Sequence, residues 1–128
     1  MQTTIASSQI TVIQPQGHLN AANAPEFGRQ LTEVVASEQP AIVLVDMEQV
    51  ETLDSAGLMV LVSALSQAQS QNYQFSICSL SPSIRIVFEL TQLDRVFEIF
   101  ESRAAFEAAT RSSAAWYRAK TMKDYAIA

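Results

Sequence analysis

Ala41-Ile42-Val43-Leu44-Val45 is an unbroken apolar run, and a short polar stretch separates it from Leu53-Asp54-Ser55-Ala56-Gly57-Leu58. A continuous run of that length suits a strand covered on both faces, the inside of a sheet. Asp46 to Thr52 reads as a polar connection with Val50 as its apolar anchor. From about Ser55 the periodicity changes: Leu58, Leu61, Val62 and Leu65 fall on one face of a helix, and Ser66 to Gln71 turns polar and faces water. A buried strand that feeds directly into a helix is the unit from which layered α/β folds are built.

The same alternation continues in both directions. Toward the N-terminus, Pro40 closes a segment in which Phe27, Leu31, Val34 and Val35 recur at i, i+4, i+7 and i+8. Pro25 stands at its first helical position, where a missing N–H costs nothing. Gly28 weakens this helix by about 1 kcal/mol relative to Ala. Before it, Ile5 to Gln14 predicts two short strands or one hairpin, closed by Pro15-Gln16-Gly17. Toward the C-terminus come a strand over Tyr73 to Cys78, a Ser81-Pro82 helix start with Ile84, Val87 and Phe88, and a strand over Val96 to Phe100. Ser102 then opens a last helix containing Phe106. Residues 1–110 therefore form a single α/β domain: a mixed β-sheet of four to five strands with about four helices packed against it. Crossovers of this kind are right-handed in nearly all cases.

Composition bounds the function. An apolar share of 48% with 16% charged residues belongs to a globular chain and not to a disordered one. No apolar run approaches the ~20 residues that cross a bilayer, so direct membrane insertion is not expected. The N-terminus lacks the basic and apolar regions of a signal peptide, and the cytoplasm is the expected compartment. A single cysteine, Cys78, leaves no internal disulfide, and its strand setting reads as a buried structural thiol. His18 has no second His or Cys at ligand spacing, so no metal is expected. Three glycines and no phosphate-cradling loop give no nucleotide or other cofactor. Residues 1–110 carry four basic and twelve acidic side chains, a balance of −8, which argues against direct nucleic-acid binding. Residues 111–128 carry four basic and one acidic side chain, with Trp116, Tyr117 and Tyr125 interleaved. This basic aromatic tail reads either as a helix extension or mobile segment, or as a docking element.

Ser55 is the candidate site. It stands at a helix N-terminus, beside Asp54 and shortly before Gly57, where free N–H groups and the helix dipole favour an added phosphate. The same position suits a plain helix cap, since Ser and Asp both fill that role. An enzyme using Cys78 or the Asp54/Ser55 pair as nucleophile is a further reading, but no base lies in the local motif.

Three segments at compatible spacing carry a resemblance: Gly17-His18-Leu19-Asn20, Leu53 to Leu58, and Ser81-Pro82-Ser83-Ile84-Arg85-Ile86-Val87-Phe88-Glu89-Leu90. Together they resemble the STAS domain, and specifically the bacterial anti-sigma factor antagonists, in order from about Thr4 to Thr110. The resemblance implies a binding protein and not an enzyme. Its partners would be an anti-sigma factor serine kinase and a PPM-type serine phosphatase. Ser55 would be the phosphoacceptor, and Asn20, Asp54, Ser55, Ala56, Gly57 and Leu58 the partner-binding set. Asn20 falls where many members carry aspartate, and Ala56 replaces a second serine found in several relatives. The alternative within the same family is a phospho-switch for a non-sigma effector, either another cytoplasmic pathway or a membrane transport complex.

Overall fold

A computed structural model describes residues 2–7, 10–36 and 42–111. In chain order the strands and helices are β1 (Gln2–Ser7), β2 (Ile10–Gln14), β3 (Gly17–Leu19), α1 (Ala24–Ala36), β4 (Ile42–Asp46), β5 (Val50–Leu53), α2 (Ser55–Ser70), β6 (Gln74–Cys78), α3 (Pro82–Leu90), β7 (Glu98–Phe100) and α4 (Arg103–Arg111). The expected tail, residues 111–128, lies outside this description apart from the backbone of Arg111.

The main sheet has five strands in the order β1-β2-β4-β6-β7. β1 and β2 form the antiparallel hairpin, and the other pairings are parallel. Ile42 to Val45 of the apolar run thus lie in the middle strand, and all five residues of β4 are buried. Its side chains alternate between two cores, as a pleated strand requires. Val43 and Val45 join Ile13, Phe75 and Ile77 under α1, α2 and α3, where Phe27, Leu31, Leu61, Leu65, Ile84 and Phe88 are buried. Ile42 and Leu44 join Val12 and Cys78 on the opposite face, under Phe106 of α4. Phe106 stacks edge-on against Phe100 with ring centroids 5.4 Å apart.

The structure departs from the sequence expectation at two places. Asp46 to Thr52 is not merely a polar connection: Val50–Leu53 is β5, which pairs in parallel with β3 as a separate two-stranded sheet. A register shift in this pair leaves Glu51 and Thr52 both exposed, which erases the alternation that betrays a half-buried strand. The last strand is also shorter than Val96 to Phe100. A 3-10 turn over Leu93–Arg95 draws in the N–H groups of Val96 and Phe97, and β7 starts only at Glu98.

Candidate functional site

β3 and β5 run side by side and deliver two turns to one place. At the end of β5, Asp54 is the N-cap of α2: its Oδ1 accepts the Gly57 N–H at 3.0 Å. Its Oδ2 accepts the N–H of Ala21 at 3.1 Å, and its own N–H donates to the Leu19 carbonyl at 3.0 Å. One carboxylate therefore caps the helix and ties it to the turn after β3.

That turn is held by two asparagines. Asn20 Oδ1 accepts the Ala22 N–H at 3.0 Å, and the Asn20 N–H donates to Asn23 Oδ1 at 2.9 Å. Asn23 Nδ2 reaches back to the His18 carbonyl at 2.5 Å. An amide oxygen accepts an N–H as a carboxylate does, so Asn20 fills its turn role without a negative charge.

Ser55 is the first residue of α2 and is exposed. Among the described residues nothing hydrogen-bonds its hydroxyl, because capping is done by Asp54. The N–H groups of Gly57 and Leu58 are taken by the side chain and carbonyl of Asp54. Those of Ser55 and Ala56 belong to the unpaired set that every helix start leaves. A small nucleophilic hydroxyl thus stands beside free donors and one carboxylate.

Gly57 explains why the turn and the helix meet so closely. A Cβ there would lie 2.8 Å from the Leu19 carbonyl oxygen and 2.8 Å from Leu53 Cδ1. Gly57 and Leu58 are buried, whereas Asp54 and Ser55 are exposed and Asn20 and Ala56 half-exposed. The predicted residues thus come together in space but divide into a surface set and a supporting pair. Ala21 and Asn23, which carry much of the geometry, escaped sequence reasoning; the Asn20-x-x-Asn23 spacing was the signal for that turn.

Two other chemical residues stay apart from this lip. Cys78 is buried, and burial pushes its thiol pKa up to about 12, the state of an inert core residue. His18 sits exposed on β3 with Nδ1 2.7 Å from Thr52 Oγ1. Among the described residues no three His, Cys, Asp or Glu side chains gather to hold a metal, and no helix is long and apolar enough to cross a membrane.

Comparison with known proteins identifies the family. The STAS domain profile matches residues 3–105. BtrV of Bordetella bronchiseptica, a candidate anti-sigma factor antagonist, is 31% identical over 77% of this chain and 84% of its own. The crystal structure of a candidate anti-sigma factor antagonist from Thermotoga maritima superposes with a TM-score of 0.79 at 23% identity, covering 86% of this chain and 93% of that one. The Bacillus cell fate determinant SpoIIAA in its phosphorylated form superposes with a TM-score of 0.66 at 15% identity, covering 84% and 96% of the two chains. A domain profile over most of the chain and a relative of this identity together settle the family: the chain belongs to the STAS domain family and stands among its anti-sigma factor antagonists.

Proposed function

We propose that this chain works as an anti-sigma factor antagonist in a cytoplasmic partner-switching pathway. It binds a cognate serine kinase that also holds a sigma factor, and phosphorylation of Ser55 switches it off until a PPM-type phosphatase restores it. The observation that carries this reading is the division of labour at the helix start: Asp54 caps α2, so the exposed Ser55 hydroxyl has no structural duty. The names borne by the relatives support the same role.

The physical switch follows from charge. A phosphate adds roughly −1.5 to −2 charge. The open N–H groups of Ser55 and Ala56 can hold it with little disturbance of the fold. It would nevertheless stand beside Asp54, on a domain whose residues 1–110 already carry a balance of −8. Phosphorylation therefore alters the docking surface and leaves the fold alone. Converting a micromolar complex to a near-millimolar one takes about 3–4 kcal/mol. A like-charge pair or a desolvated dianion at an interface supplies a penalty of that order. Asn20, Asp54, Ser55 and Ala56 would face the partner, while Gly57 and Leu58 hold the lip in shape. Residues 1–110 form the switching domain and 111–128 an appended segment.

Phosphopeptide mapping of the protein recovered from its native cells, under growth and under stress, is the first test; phosphate at Ser55 with changing occupancy is the expected result. Ser55→Asp should then keep the wild-type circular dichroism spectrum and lose the partner. An unfolded Ser55→Asp, or a Ser55 unmodified in every condition, would overturn the reading.

A further inference from the structure

The two faces of the main sheet are unequally covered. α1, α2 and α3 pack on one, and among the described residues α4 alone packs on the other. α4 is nine residues long and lies against β7, with Phe106 edge-on to Phe100. Phe106 is its one buried side chain among those described. Across β6 and β4, β2 lies three strand spacings from β7, roughly 14 Å. A helix with its side chains reaches about 5–6 Å to either side of its axis, so one seated at β7 stops short of β2. Yet Val12 of β2 is only 2% exposed, and Ile42 and Leu44 of β4 are 6% and 0% exposed. One phenyl ring does not seal three aliphatic side chains on two further strands.

The sequence beyond α4 supplies what is missing. Residues 112–128 follow α4 directly and hold Trp116, Tyr117, Met122, Tyr125 and Ile127. The internal stretches outside the description, residues 8–9 and 37–41, hold no large apolar side chain. A segment of 17 residues spans about 25 Å even as a helix, and more when extended, so β2 is within its reach. Charge favours the same placement. Arg118, Lys120 and Lys123 against Asp124 give the segment a balance of +2, facing the −8 of residues 1–110. Tethering at the end of α4 also holds it near this face at a local concentration of about millimolar, above that of a separate partner.

We infer that residues 112–128 dock across β2 and β4 on the sheet face opposite α1–α3, where Trp116 and its apolar neighbours cover Val12, Ile42 and Leu44. The folded unit then runs past residue 105, where the match to the domain profile ends. This face is a second interior closed by the chain's own C-terminal segment, and not a surface kept open for a partner.

Trp116 is the single tryptophan of the chain, so tryptophan fluorescence of the full-length protein reports on this segment alone. Acrylamide should quench it about threefold less in the native protein than in urea, equally at high and low protein concentration. Urea titrations followed by circular dichroism then locate the contact. Trp116→Ala is combined in turn with Val12→Ala, Ile42→Ala and Leu90→Ala, the last at an apolar residue of α3 that is 79% exposed. The expected result is that the Val12 and Ile42 pairs depart from the product of their single effects by about fivefold or more in the unfolding constant, and the Leu90 pair does not. If Ile42→Ala does not fold, Val12→Ala, which removes less, carries the cycle. Trp116 quenched as freely in the native protein as in urea overturns the inference. So does protection without coupling to Val12 or Ile42, and coupling to Leu90 instead moves the segment to α3. Protection that disappears on dilution assigns the cover to a second copy's segment and equally overturns it.

Discussion

Gly57→Ala sets helix propensity against packing, and the structure decides which wins. Alanine is favoured over glycine within a helix by about 0.5–1 kcal/mol, so a propensity argument predicts a stabilised protein. The added methyl would instead sit 2.8 Å from the Leu19 carbonyl oxygen, 2.8 Å from Leu53 Cδ1 and 3.1 Å from Leu19 Cβ. Leu53 can turn aside, but Leu19 belongs to a paired strand and its carbonyl already accepts the Asp54 N–H. The first turn of α2 must therefore retreat, which costs about 1–3 kcal/mol as overpacking. The retreat also stretches the Asp54 cap on Gly57 and the tie to Ala21, each a bond near 3 Å. The net loss is about 1–2 kcal/mol once propensity is credited. For a domain of this length that lowers Tm by roughly 3–10 °C. Thermal melts followed by circular dichroism read the change directly. A Gly57→Ala protein that melts at or above the wild-type temperature would refute the close-approach argument.

The remaining predictions probe other parts of the molecule. Gly28→Ala should have the opposite sign, raising Tm by a few degrees, because its Cβ would meet only Val60 methyls at 3.5 and 3.8 Å; the same melts check it. Asp54→Ala removes the cap and the link to Ala21 and should cost about 1–2 kcal/mol in urea titrations, while Asp54→Asn keeps most of that stability. Phe106→Ala opens the second core and should cost about 3–5 kcal/mol by the same titration. Cys78, its pKa pushed up to about 12 by burial, should resist a thiol reagent in the native protein and react fully in denaturant. Because the folded thiol then binds its proton more tightly than the unfolded one, stability should fall as pH climbs from about 9 toward 12, as pH-dependent urea titrations would show.

Much of the fold was legible because its strongest signals are redundant. The apolar run at 41–45, the helical spacing of Phe27, Leu31 and Val35, and the Ser81-Pro82 start each predicted an element that the structure contains. The β3–β5 pair was not legible. β3 is three residues long, and the register shift in β5 sets two polar side chains together on the solvent side. No local pattern encodes a strand whose partner lies more than thirty residues away. The candidate site shows the same divide. Asp54, Ser55 and Gly57 stand out as a helix start in sequence alone. The assignment of the cap to Asp54 and the tie to Ala21 depend on where β3 ends, which only the folded chain fixes.

That tie has a further consequence. The lip is composed of two chain segments, and the bond that joins them spans 33 positions of sequence. A short peptide around Ser55 would carry the hydroxyl but not the asparagine-held turn. An enzyme that reads both segments cannot mark a nascent, truncated or unfolded copy. Were Ser55 phosphorylated as proposed, the mark would certify conformation as well as sequence, and a signal passed through it would count only folded molecules.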